Sequence, residues 1–269
     1  MCQKFILASS LATIEKSFSV LADSRLEYEP RFVLVPGEMT LVITQQDPKQ
    51  LTLSKFGMTP NWAKQPMNLI NARAEGNKNP KNDPMYTGGQ AIFMKPAFKK
   101  PLHTQRCIVI ADAYIEWSTT TKQPYLIYLR DHNRPFGMAG LYDKWINPET
   151  KAETNSFTII TVPGNSLIHQ LPASRMPVIL PKGRESDWLK PSKHLSEILG
   201  MLQIFPAERM NAFPVSKEVD LPGLFTLDNL KPVGEKLYKE AEQKFIPHRH
   251  WGHKQKSAGS GTWRWNENS

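Results

Sequence analysis

The middle of this chain is written in short β-rich runs separated by turn residues, and that punctuation constrains the fold more than any other feature. "RFVLV", "TLVIT", "LTLSKF", "RCIVIADAYIEW", "PYLIYL", "FGMAGLY", "SFTIITV" and "MPVIL" follow one another, with "PGE" and "QQDPKQ" between the early ones. Helical spacing is confined to the flanks. Residues 9–20 place Leu11, Ile14 and Phe18 three and four apart, and "SKHLSEILGML" and "GEKLYKEAEQKF" repeat the pattern late in the chain. There is no regular βαβ alternation. The expected class is therefore α+β: a single domain with a mixed, largely antiparallel β-sheet core and flanking helices. Residues 76–90, rich in Asn, Gly, Pro and Lys, are expected to form a long mobile loop. Residues 247–269 lack periodicity and contain "SAGSG", so they are expected to be a disordered tail, leaving 1–246 as the domain.

Composition sets the class of environment. A chain of 269 residues, 40% hydrophobic with seven tryptophans, can bury a core without staples. Two cysteines cannot make a disulfide framework, so a reducing, cytoplasmic home is the default. No stretch approaches about 18 consecutive apolar residues, so no membrane span is expected. "KFILASSLA" has the outline of a weak signal peptide, but its pattern runs on with helical spacing into "TIEKSFSVL". The net charge of +9 favours polyanionic partners, although solubility alone would also account for it.

Four sites carry candidate chemistry. Cys2 follows the initiator methionine; if Met1 is removed, it presents a free α-amine beside its thiol, with ordinary pKa values of about 8 and 8.5. Both groups then hold a nucleophilic fraction near neutrality. "INARAE" puts Asn71, Arg73 and Glu75 on one face if it is a strand, where Arg73 could hold a phosphate and Asn71 orient a neighbour; a solvated strand face is the plainer alternative. Glu116 ends a hydrophobic run in "AYIEW", and burial there would raise its pKa and suit it to proton transfer. His169, in "NSLIHQLPASRMPVIL", can serve as acid or base, though an isolated histidine is more often structural. Cys107 sits in the apolar run "CIVIA" and reads as core. His248, His250 and His253 lack partner cysteines or carboxylates and are not read as a metal site.

Taken in order, Met-Cys at the start, "NARAE", "RCIVIADAYIEW", "IH" followed by "RMPVILP", and "FPVS" resemble the SRAP family, the SOS-response-associated peptidase or abasic-site-processing proteins. The similarity runs from Cys2 to about Ser216. The resemblance implies a single SRAP-like α+β domain that clasps single-stranded DNA and couples its N-terminal cysteine to an abasic site as a thiazolidine crosslink. Lyase and self-processing peptidase activities are further expectations. By similarity Cys2 is the nucleophile, with Asn71, Glu116 and His169 around it and Arg73 on a phosphate.

The expected DNA-contacting set is Lys4, Arg73, Trp62, Lys95, Arg106 and Arg175, with Lys78, Lys81, Lys99, Lys100 and Trp117 as further candidates. For each tryptophan, burial in the core is the plainer expectation. No metal or organic cofactor is implied, and a monomer is expected. The chain departs from the family pattern at Gln3 and Lys4, where Gly then Arg is common, and at Val33, where asparagine is frequent. His169 and Arg175 are also separated by a longer insert than in the shortest members. Two rival readings use the same residues: a cysteine hydrolase acting on another protein, and a non-covalent single-stranded DNA-binding module.

Overall fold

The β-rich runs do form strands, because their Val, Ile, Leu and aromatic residues fill pleated, two-sided interfaces. The computed structural model describes residues 2–131, 134–171, 173–220 and 226–240. The expected tail at 247–269 and the three late histidines lie outside the described residues. In chain order the elements are β1 (Lys4–Leu7), α1 (Leu11–Phe18), β2 (Arg31–Leu34), β3 (Met39–Thr44), β4 (Leu51–Phe56), β5 (Asn71–Arg73), α2 (Pro96–Thr104), β6 (Arg106–Ala111) and β7 (Ala113–Trp117). Then come β8 (Pro124–Leu129), β9 (Phe136–Ile146), β10 (Glu153–Pro163), α3 (Ser166–Gln170), β11 (Arg175–Pro177), α4 (Glu185–Leu189), α5 (Leu195–Gly200) and β12 (Met210–Pro214).

Two sheets result. One is five-stranded, in the order β12-β8-β7-β1-β2, and its four neighbouring pairs are antiparallel. The other closes on itself through β10-β4-β3-β6-β9 and back to β10, with the β10–β4 pair parallel. The remaining length of β10 carries β5 in parallel on one edge and β11 in antiparallel on the other. Closure leaves that sheet with few bare edges.

"RCIVIADAYIEW" divides at Asp112, where the chain leaves the closed sheet as β6 and enters the open one as β7. The cause is local. Asp112 is fully buried and its carboxylate accepts from the Ala8 amide at 2.6 Å, the Ser9 amide at 2.8 Å and the Ser9 hydroxyl at 2.6 Å. Its own amide donates to Ile6 O at 2.7 Å. One side chain therefore fixes both the sheet change and the end of β1. Between the sheets, Phe5 of β1 meets Phe56 of β4 edge-on at 5.5 Å, and Phe56 stacks on Phe157 of β10 at 5.3 Å.

The helices follow the flanks in part. Ser10 caps α1 by accepting from the Thr13 amide, as its position before the periodic run predicts. α2 gives little periodic signal because prolines stand at its first and sixth positions; Pro96 suits a helix start, whereas Pro101 is ordinarily a breaker.

The helical pattern expected in "GEKLYKEAEQKF" does not hold over its described part. Residues 231–240 form neither helix nor strand and lie along β12 as an irregular strap: Leu237 N donates to Ala212 O and Val233 N to Pro214 O, both at 2.9 Å, while Asn211 exchanges bonds with the Tyr238 amide and carbonyl. Tertiary partners for the backbone outweigh a weak helical propensity.

Buried Asn211 also donates to Glu240, so this one amide ties down the whole strap. Asn211→Ala is expected to lower stability by about 2 kcal/mol, since it orphans backbone groups as well as removing bonds. Urea denaturation measures the loss, and limited proteolysis should show cleavage within 226–240 before the rest of the domain.

Candidate active site

The pairing of β1 with both β2 and β7 draws the start of the chain into the interior. Cys2, two residues before β1, has no exposed surface. Its carbonyl accepts from Asn71 Nδ2 at 3.0 Å, so the first residue of β5 holds the N-terminal backbone directly. On β7, Tyr114 and Glu116 share a face by strand alternation, with Tyr114 opposite Phe5 of β1. Both are buried.

Burial sets the electrostatics. Desolvation pushes the Cys2 thiol well above its ordinary value, and the Glu116 charge adds to the rise. Desolvation likewise raises Glu116, which stays protonated to a higher pH than a surface glutamate. The Tyr114 hydroxyl is also raised well above its ordinary value, by burial first and then by the charges of Cys2 and Glu116. These three groups therefore form one coupled cluster.

In front of Asn71 lies a groove of about 350 Å³, lined by Trp62, Met67, Leu69, Asn71, Arg73, Lys95 and Phe98 among others. It gathers four of the residues singled out from sequence: Trp62, Asn71, Arg73 and Lys95. Trp62 is 57% exposed, against the expectation of a core tryptophan, and so presents a free aromatic face. Arg73 donates to Asn79 O at 3.2 Å, and Lys95 bonds Asn77 Oδ1. Lys78, Lys81, Lys99 and Lys100 are exposed. Among the described residues no cluster of His, Cys, Asp or Glu could hold a metal, and no helix is long and apolar enough to cross a membrane.

Other expected contacts are placed differently. Arg106 is wholly buried and donates to the carbonyls of Leu102, His103, Trp188 and Lys190. Burial pushes its pKa down to about 10. Arg175 is also wholly buried, and all five of its donors are used: two on the Glu75 carboxylate, two on Thr161 and one on Asn82. Neither guanidinium has a donor facing solvent, so both are structural and not phosphate contacts. Lys4 is half-buried, donating to Val219 O at 2.8 Å over the Trp117 ring.

β5 ends at Arg73, so Glu75 does not share a strand face with Asn71; it turns inward to Arg175. Gly76 follows with φ +58, and a Cβ there would lie 2.6 Å from Ala91 O. His169 lies on α3, capped by Asn165, with its Nε2 buried and without a hydrogen-bond partner. It is not bonded to Cys2 or Asn71.

The expected mobile loop at 76–90 is instead stapled. Asn79 is buried, donates to Glu75 and Asp83 O, and accepts from the Asp83 amide. Asn82 joins Arg175 to Ser174. Composition could not reveal this, because the same asparagines serve exposed turns equally well.

Comparison with known proteins adds independent findings. The family model described as "SOS response associated peptidase (SRAP)" matches residues 1–222. The chain is 35% identical over 233 residues to the abasic site processing protein YoqW of Bacillus subtilis, covering 82% of this chain and 95% of that one. It is 32% identical to the abasic site processing protein HMCES of Pongo abelii over 69% of this chain and 58% of the relative. The crystal structure of a protein from Bacteroides thetaiotaomicron superposes with a TM-score of 0.69 at 28% identity, covering 81% and 93% of the two chains.

The Glu75–Arg175 pair supports both β5 and the loop beside the groove. Burial alone would raise the Glu75 pKa, but the bonds from Arg175 and Asn79 hold it below the ordinary value. Its contribution to stability is therefore full above the unfolded carboxylate pKa of about 4.3 and is lost as pH falls through the lower folded value. Glu75→Gln leaves Arg175 buried without its counter-charge and should cost about 3–5 kcal/mol, measured by chemical denaturation at neutral pH. The gap from wild type should narrow as the pH is lowered through the acid range.

Proposed function

The chain belongs to the SOS response associated peptidase (SRAP) family, and from that premise we propose that it binds single-stranded DNA at an abasic site and captures the sugar aldehyde covalently through Cys2. The observation that carries this reading is the placement of Cys2: buried, held through its carbonyl by Asn71, and set behind a groove edged by Arg73, Lys95 and Trp62. An abasic strand offers phosphates, neighbouring bases and an aldehyde. The groove offers cations, an exposed indole and, through Asn71, a wall residue bonded to the Cys2 backbone.

With Met1 removed, the α-amine of Cys2 adds to the aldehyde of the ring-opened deoxyribose, and loss of water gives a Schiff base. The thiol then gives up its proton, and its sulfur adds to the imine carbon to close a five-membered thiazolidine. One water leaves and nothing is oxidised or reduced. Because the thiol is tethered to the imine, closure gains the effective molarity of an intramolecular reaction. Glu116, with its raised pKa, carries protons in both directions, and His169 donates to the sugar oxygen as the hemiacetal opens. The same Schiff base allows β-elimination of the 3′ phosphate, which gives the lyase side activity.

The amine is the first nucleophile in this scheme because burial and the Glu116 charge hold the thiol protonated. That electrostatic setting runs against a cysteine hydrolase, whose thiol must be depressed to the thiolate.

The test mixes Met1-processed protein with a single-stranded oligonucleotide bearing one abasic site. A denaturant-resistant adduct is expected, abolished by Cys2→Ala; Cys2→Ser should leave at most a borohydride-reducible imine. Equal, salt-sensitive binding of intact and abasic strands without any adduct would point to a non-covalent binding module. Glu116→Gln should slow adduct formation by about 10²-fold or more while leaving DNA affinity within twofold.

A further inference from the structure

Among the described residues, the buried polar atoms without a hydrogen-bond partner include Asn71 Oδ1, the Tyr114 hydroxyl and His169 Nε2. Asn71 and His169 already have roles in the proposed chemistry. Tyr114 does not. Its side chain is completely buried, it stands two residues before Glu116 on the same face of β7, and it packs in the same core as Cys2 and Phe5. Packing alone does not call for its oxygen, since phenylalanine fills the same volume without stranding a polar group. A phenol removed from water and left unsatisfied is a standing cost, and such groups persist in native proteins where a partner arrives during function.

The partner can be identified from the surroundings. Charge on Cys2 and on Glu116 acts on the Tyr114 hydroxyl, and after burial these are the causes that hold it neutral. A neutral phenol is a hydrogen-bond donor, and the group in this cluster that gains negative charge during ring closure is the Cys2 sulfur. We propose that Tyr114 is a catalytic residue that donates a hydrogen bond to Cys2 Sγ as it becomes the thiolate that closes the thiazolidine. The inference rests on the covalent-capture reading.

In this step the thiol proton passes to the Glu116 carboxylate. A sulfur lone pair forms the S–C bond to the iminium carbon, and the C=N π pair returns to nitrogen, which becomes a neutral amine. Tyr114 keeps its proton throughout. Its bond offsets the desolvation that otherwise disfavours the thiolate, so it acts on closure and not on imine formation.

The experiment compares wild type and Tyr114→Phe, each with Met1 removed, on a single-stranded oligonucleotide carrying one abasic site. Borohydride added at intervals traps the imine, and denaturant-resistant adduct without borohydride reports the thiazolidine. Tyr114→Phe should form the imine within twofold of the wild-type rate and close the ring about tenfold or more slowly, so that trappable imine accumulates. Its melting temperature should match or exceed wild type, because an unsatisfied buried hydroxyl has been removed.

Unchanged closure overturns the proposal. So does equal slowing of imine formation and closure, which would place the hydroxyl on the sugar, and so does a lower melting temperature with normal kinetics, which would make Tyr114 a packing residue. Failure of wild type itself to form any adduct would sink the covalent-capture reading, an outcome distinct from a difference between the two proteins.

Discussion

Everything at the site depends on β1 being an interior strand. Antiparallel partners on both sides, β2 and β7, leave its backbone no freedom to fray, and Phe5 locks it against Phe56 and Phe157 of the closed sheet. Termini are ordinarily the least ordered part of a domain. Here the second residue is as buried as any core side chain, and the reason is strand pairing next to it together with the Asn71 bond to its carbonyl. Asp112 completes the constraint from the other end by holding the backbone where β1 gives way to α1.

A chain with a net charge of +9 spends part of that charge inside. Arg106 and Arg175 are consumed by carbonyls and by Glu75, and they organise α2, α4 and the segment after β5 without facing solvent. The cations that remain near the groove are Arg73 and Lys95, with four exposed lysines on neighbouring segments. Buried guanidiniums fix the walls and surface ammoniums supply the field, and the two roles call for different desolvation costs. The ordered loop at 76–90 follows from the first role, because Asn79 and Asn82 bond to the same buried pair.

The interior around Cys2 is arranged against its own stability. Thiol, carboxyl and phenol are buried together, desolvation raises all three, the Glu116 charge raises Cys2 and Tyr114 further, and Asn71 Oδ1 and the Tyr114 hydroxyl go without partners. The strap of residues 226–240 lies beyond the stretch matched by the family model. It bonds along β12 and reaches α3 through Gln170 and Tyr238, so the α3 segment carrying His169 is tied to an element outside the common domain.

The class of fold and the candidate nucleophile are both readable from the chain alone. Alternating and continuous apolar runs are local records of strand burial, so β2, β3, β4, β8, β9 and β10 are legible where they stand, as is the Ser10-capped helix. The proposed aminothiol is likewise legible, because a cysteine at position two needs no neighbour to be recognised. Asn71 and Arg73 on one strand face follow from the same period-two rule. Tertiary structure decided the rest. Whether an arginine meets a phosphate or a buried glutamate depends on partners about a hundred residues away in the chain, as for Arg175 and Glu75, and no local pattern encodes that. Likewise, the break at Asp112, the stapled loop, the irregular strap in place of a helix and the exposure of Trp62 were set by long-range bonds and packing. The sequence pattern registers how a segment wants to be buried, and only the assembled fold settles what it is buried against.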